Sequence, residues 1–121
     1  MIINHTYRFI FLKTRKTAGT SIEIALSQFC GSQDVITPIR WQDERIRRQL
    51  GYPEPRNFRA PLVDYRLSDW LALFYQGSKR KCNNHFTAAE VNNAINPDIW
   101  HNYFKFCFER NPFDKAISRY Y

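Results

Sequence analysis

Hydrophobic and polar positions follow one arrangement at the two ends of the chain and another in its middle. Tyr7 to Leu12 is a β-branched and aromatic run of strand length. The polar stretch Lys13-Thr14-Arg15-Lys16-Thr17-Ala18-Gly19-Thr20-Ser21 follows, and then Ile22-Glu23-Ile24-Ala25-Leu26, whose apolar residues recur at helical spacing. The pattern predicts strand, polar turn and helix, the helix running from about Thr20 to Phe29 with Thr20 or Ser21 as its cap and Gly31 as its stop. Ahead of it, Met1 leads straight into a short strand-like segment. Near the other end, Tyr103-Phe104-Lys105-Phe106-Cys107-Phe108-Glu109 is apolar at nearly every position and predicts a strand buried on both faces. After Arg110-Asn111-Pro112, a helix is expected over Phe113 to Tyr121, with Pro112 at or near its first position.

The middle is less regular. Pro38, Pro53, Pro55 and Pro61 punctuate the stretch from Gln33 to Pro61, and the charged, weakly amphipathic Trp41 to Leu50 predicts a short helix inside an irregular excursion. Leu67, Trp70, Leu71, Leu73 and Phe74 suit a second helix from Leu67 to Tyr75, started near Ser68 or Asp69 and ended at Gly77. Lys79-Arg80-Lys81 reads as a solvated loop. Thr87-Ala88-Ala89-Glu90 is a capping-box pattern that opens a third helix through about Ile95, with Pro97 as terminator.

Composition sharpens this picture. A chain of 121 residues is one domain's worth, and 44% apolar with 17% aromatic residues is too much core material for a disordered basic tail. The expectation is one domain over residues 1–121, an α/β fold with a small parallel sheet, its first and last strands neighbouring and helices on its faces. The net charge of +7 is carried by 18 cations, 12 of them arginine, and favours a polyanionic partner. Cys30, Cys82 and Cys107 lie far apart without a CxxC pair and read as free thiols, which with the absence of a spanning segment gives a cytoplasmic expectation. The sequence offers no metal-ligand cluster, so no metal is expected. A homo-oligomer is compatible with it.

Chemistry concentrates at the two strand-to-helix junctions. A helix that opens directly after a strand presents free N–H groups and the positive end of its dipole, which together hold anions. At the first junction Lys16 adds a point charge, Gly19 is expected to let backbone approach the ligand, and Thr17, Thr20 and Ser21 offer hydroxyls. This is the logic of a phosphate loop, yet the spacing is not GxxxxGK[ST], which disfavours a nucleoside triphosphatase. At the second, Arg110 offers a planar fork for phosphate and Ser118 a hydroxyl. Arg110 can equally pair with Glu109 or Asp114. In a parallel sheet both junctions open on one crevice, which suits a nucleotide with anionic groups at both ends of its ribose.

Lys16-Thr17-Ala18-Gly19-Thr20-Ser21 after an aromatic strand resembles the phosphosulfate loop of the sulfotransferases, in their carbohydrate-type branch. Arg110-Asn111-Pro112-Phe113-Asp114-Lys115-Ala116-Ile117-Ser118 resembles the same family's 3'-phosphate signature. The resemblance implies a P-loop-like nucleotide-binding fold and a transferase that moves a sulfuryl group from 3'-phosphoadenylyl sulfate (PAPS) to an acceptor hydroxyl, a carbohydrate by preference, without a metal. Lys16 would contact the 5'-phosphosulfate and stabilise charge on the leaving oxygen. Lys13, Arg15, Thr17, Ala18, Gly19, Thr20 and Ser21 would complete the cradle, and Arg110 and Ser118 would hold the 3'-phosphate. Lys13 stands where many relatives carry histidine, and Arg15 where many carry proline. His85 resembles the histidine that takes the acceptor proton, a role its ordinary pKa suits, although it can also serve only to cap the following helix.

Family domains continue beyond the second motif, so a C-terminally truncated member is expected. The alternative is an inactive fragment that binds PAPS or its product 3'-phosphoadenosine 5'-phosphate. A small basic nucleic-acid-binding protein is a third reading. It lacks a recognisable module, and its cations are not gathered on one helix, so no nucleic-acid partner is expected.

Overall fold

The computed structural model describes residues 1–59, 67, 71, 74, 75 and 85–120. Strand β1 (Ile2–Asn4) turns back into β2 (Phe9–Phe11), which leads to helix α1 (Gly19–Ser27). Strand β3 (Val35–Ile36) and helix α2 (Trp41–Gln49) follow. After the less regular middle come α3 (Ala88–Ala94), α4 (Pro97–Asn102), β4 (Phe104–Phe106) and α5 (Pro112–Tyr120). Of the expected second helix, Leu67, Leu71, Phe74 and Tyr75 are helical. The other positions of that helix, together with Lys79, Arg80, Lys81 and Cys82, lie outside the described residues.

The sheet has the order β3-β1-β2-β4 and is mixed, not parallel. The expected pair is present: β2 and β4 run parallel, with Ile10 opposite Lys105. The correction comes from two short strands. β1 pairs antiparallel with β2 through a tight connection over residues 5–8, and β3 pairs antiparallel with the other side of β1. A hairpin-length connection permits only the antiparallel sense, whereas β2 reaches β4 through a long crossover.

Side-chain alternation then builds two cores. Ile3 and its cross-strand partner Ile10 lie on one face with Met1 and Val91, packed by Phe86, Ile95, Ile99 and Trp100 from α3, α4 and their flanks. Ile2, Phe11 and Ile36 lie on the other face with Cys30, packed by Ile22 and Leu26 of α1. Helices therefore cover both faces, as the pattern predicted, and the period-2 register decides which residues meet which helix.

Three local expectations change. Phe104 is 70% exposed and Phe108 45% exposed, so the apolar run is not buried on both faces. Among the described residues β4 also lies at the end of the strand order, with β2 as its one neighbour. Pro97 ends one helix and starts the next: it occupies the first turn of α4, where its missing N–H costs nothing, and the Asn96 side chain caps that turn through Asp98 N at 2.8 Å. Helix α1 begins one residue earlier than expected and has no side-chain cap. Its cap residue is Ala18 in the left-handed conformation, so neither Thr20 nor Ser21 caps it. The capping box at Thr87 and Glu90 forms as expected, with Thr87 N–H donating to Glu90 Oε2 at 2.7 Å.

Candidate functional site

The parallel pairing of β2 with β4 brings both strand-to-helix junctions to one end of the sheet. Leu12 N–H donates to Phe106 O at 2.9 Å, and one step further the Thr14 hydroxyl donates to Phe108 O at 2.5 Å. The loop before α1 is thus tied to the segment before α5. Within the loop, Thr17 Oγ1 lies 2.8 Å from Thr14 Oγ1 and 3.2 Å from Thr14 O. Because the Thr14 proton is committed to Phe108, the Thr17 hydroxyl is the donor in that contact, and its proton braces the loop.

Lys16 has φ 61 and Ala18 φ 54, left-handed values on either side of Thr17. Such alternation turns successive N–H groups toward one concavity, and left-handed conformations at non-glycine residues cluster at binding loops. The first N–H returned within α1 is that of Ile22, to Ala18 O. With no side chain capping the helix, the N–H groups of its first turn and the positive end of its dipole stay available to an anion. Helix α5 differs, since Asn111 Oδ1 accepts from Phe113 N at 3.0 Å.

A cavity of about 840 Å³ opens over the loop, within the size range of small-molecule and cofactor sites. Residues 13–20 form one wall, His85 another, and Arg40 and Asp43 at the start of α2 a third. Pro112, Lys115, Ala116 and Arg119 close it from α5. Of the residues singled out in the sequence, Lys13, Arg15, Lys16, Thr17, Ala18, Gly19, Thr20 and His85 are brought together. Ser21 is exposed on α1 outside the cavity, and Arg110 and Ser118 do not line it either. Arg110 is exposed, its backbone N–H donating to its neighbour Glu109 at 3.1 Å. The α5 face turned to the cavity carries Lys115 and Arg119, spaced by one helical turn. Proline at 112 and that spacing were visible in the sequence and could have marked this face. Arg40 and Asp43 left no such signal, because only the tertiary fold brings α2 to the loop.

Among the described residues, two of the cations that line the cavity pair with carboxylates of the chain, one at the surface and one buried. Lys115 Nζ pairs with Glu109 at 2.7 Å. Lys13 is buried, its Nζ 3.1 Å from Glu23 Oε2, and its stem crosses Gly19 so closely that a Cβ there would lie 2.8 Å from Lys13 Cγ. The absence of a side chain at residue 19 thus makes room for Lys13. Arg15, Lys16, Arg40 and Arg119 have no carboxylate partner among the described residues.

His85 is the one histidine at the cavity. His5 Nδ1 is 2.7 Å from the Tyr103 hydroxyl, and His101 is exposed on α4. Desolvation, followed by the charge of Lys13, lowers the His85 pKa below the ordinary 6.5; a hydrogen bond to the Lys13 backbone pulls the other way, and Arg15 adds to the lowering. The neutral imidazole, able to take a proton, is therefore the form favoured near neutral pH.

A family model described as "Sulfotransferase family" matches residues 1–121, the full length of the chain. Comparison with curated proteins and with solved structures gives no significant match.

Proposed function

Because the chain belongs to the sulfotransferase family, we propose that it transfers a sulfuryl group from PAPS to an acceptor hydroxyl, with a carbohydrate as the preferred acceptor class. The observation that carries this reading is the uncapped start of α1 beneath a cavity lined by Arg15, Lys16, Arg40 and Arg119, none of which has a carboxylate partner among the described residues. Backbone N–H groups and cations around one concavity fit a ligand with several anionic oxygens. The bound donor supplies an activated sulfuryl group on a phosphate leaving group.

The chain's own residues do the rest. Lys16, exposed at the loop and free of carboxylates among the described residues, supplies positive charge where the leaving phosphate oxygen becomes negative. The loop N–H groups hold the same phosphate in place. His85, held neutral, accepts the proton of the acceptor hydroxyl. Arg119 and Lys115 on α5 stand at the far wall and suit the second anionic end of the nucleotide, with Arg110 and Ser118 flanking that helix. Positioning and electrostatics supply the rate, as they do in phosphoryl transfer.

The test is transfer from PAPS to a panel of mono- and oligosaccharides, together with calorimetric titration of 3'-phosphoadenosine 5'-phosphate. Lys16→Ala is expected to lower turnover by about 100- to 1000-fold, the usual cost of removing one donor to a developing oxyanion. Micromolar nucleotide binding supports the reading. Failure of the unaltered protein to bind the nucleotide, or undiminished turnover in Lys16→Ala, overturns it.

A further inference from the structure

One carboxylate beneath the loop is assigned no role by the reading above. Glu23 lies on α1, fully buried, one helical turn past the loop. Its Oε1 accepts from the Met1 amine at 2.9 Å and from the Thr37 hydroxyl at 3.0 Å, and Arg47 Nη2 stands 3.9 Å away. Its Oε2 meets Lys13 Nζ at 3.1 Å and has no hydrogen-bond partner of good angle. The other cations around Glu23 are weaker candidates for its main partner. Arg47 gives Nη1 to both oxygens of Glu44, at 3.0 and 3.1 Å. Burial pushes the Met1 amine down to about 6, which makes it a weaker charge partner for Glu23 than an ordinary ammonium. Arg47 Nη2, without a hydrogen bond of its own, faces Oε1 at 3.9 Å, while Lys13 is the charge that faces Oε2.

The geometry points to Glu23 as a positioning residue: by binding Lys13 Nζ from below, it draws the Lys13 stem across Gly19 and fixes the backbone of the phosphate loop, so that Lys13 braces the loop and Lys16 alone of the two meets the ligand. Three observations converge on this. Lys13 is 8% exposed although it borders the cavity, its Cγ and Cε occupy the space over Gly19, and its ammonium turns to α1. A lysine pinned at both stem and head cannot swing to a phosphate without leaving Glu23 Oε2 buried with no facing charge, which is strongly unfavourable. The inference rests on the proposed function only for its ligand readout.

Lysine acylation with N-hydroxysuccinimidyl acetate, read by peptide mass spectrometry, tests the pairing without any ligand. Lys13 is expected to react at least about tenfold more slowly than Lys16, as burial and ion pairing suppress amine reactivity. 3'-Phosphoadenosine 5'-phosphate should protect Lys16 and leave Lys13 unchanged, and Glu23→Gln should expose Lys13 to the reagent. Binding is read in parallel. Glu23→Gln and Lys13→Met should each weaken nucleotide binding by about tenfold, the lower end of the cost of disturbing a supporting contact. The charge-balanced Glu23→Gln/Lys13→Met pair should be no worse than either single change. It also removes both buried charges together, so it remains available where Glu23→Gln alone does not fold.

If Lys13 is instead a direct ligand, it reacts like Lys16, the nucleotide protects it, and Glu23→Gln tightens binding by freeing its charge; any of these overturns the inference. Loss of nucleotide binding in the unaltered protein would defeat the functional reading, while the acylation rates would still decide the role of Glu23.

Discussion

Replacing Gly19 by alanine separates two accounts of why this position has no side chain. A Cβ at residue 19 would stand 2.8 Å from Lys13 Cγ, 3.3 Å from Thr14 O and 3.4 Å from Lys13 Cε. Carbon atoms in contact prefer about 3.5–4.0 Å, so the Lys13 stem must move by roughly 1 Å. Its head is held by Glu23 and its Cγ lies next to the backbone, so that shift strains the ion pair or the loop. Overpacking of this kind costs about 1–3 kcal/mol. The smaller conformational freedom of alanine in the unfolded chain returns about 0.4–1 kcal/mol. The net expectation is a loss of about 1–2 kcal/mol. With an unfolding entropy near 2.1 cal/mol/K per residue, that lowers Tm by about 4–8 °C. Calorimetry on the ligand-free protein measures it. In a Lys13→Ala background, which lacks the offending Cγ, the cost of Gly19→Ala should fall below about 0.5 kcal/mol. An unchanged or raised Tm on Gly19→Ala, with only nucleotide affinity lost, would refute the packing account and restore the view that the glycine serves ligand approach.

Two further outcomes follow from the same structure. His85 has its pKa lowered by desolvation first and by the Lys13 charge second, so its neutral form persists as pH falls, and activity should hold down to about 6.5 before an acidic limb appears. His85→Gln should remove that limb, and a limb centred above 6.5 in the unaltered protein would contradict the assignment. Thr87→Ala removes the cap of α3 and should cost about 1 kcal/mol in urea unfolding. Hydrogen bonds from the backbone and side chain of Thr87 hold the Glu90 carboxyl below its usual pKa, so this help is present above the ordinary value of 4.5 and is lost as pH falls through the lowered one. The difference between Thr87→Ala and the unaltered protein should therefore shrink in acid, and a difference independent of pH would argue against the reciprocal cap.

The legible parts of the fold are those whose signal is local. A strand, a polar turn and a helix follow one another over Tyr7 to Phe29 and again over Tyr103 to Tyr120, marked by the continuous aromatic runs of the two strands and by the turn residues that follow them. The capping box at Thr87 needs only four residues. By contrast β1 and β3 contain three and two residues and, unlike the equally short β2 and β4, do not lie within longer aromatic runs. Runs that short do not display a period, so the antiparallel half of the sheet emerges only when Ile2 is seen opposite both Phe11 and Ile36. The same boundary divides the site. The loop residues share a cavity because they are adjacent in the chain, whereas Arg40 and Asp43 arrive through the packing of α2. Lys13 shows the limit most sharply: a lysine in a phosphate-type loop reads as a ligand, and only the position of Glu23 on the buried side of α1 shows what its charge faces.

That distinction changes how the net charge of +7 bears on the site. Among the described residues six lysines and arginines line the cavity, yet Lys13 is matched by Glu23 and Lys115 by Glu109. Arg15, Lys16, Arg40 and Arg119 are left facing one cavity acid among the described residues, Asp43. The charge offered to a ligand is therefore smaller than the cation count suggests, and it is spread over three separate elements. Such an arrangement favours a compact ligand with anionic groups at separated points over a long polyanion, whose backbone would need a continuous basic stripe. On the proposed function it also sorts the substitutions: removing Lys16 or Arg119 is expected to take attraction away from an anionic ligand, while removing Lys13 or Lys115 first disturbs the protein's own ion pairs.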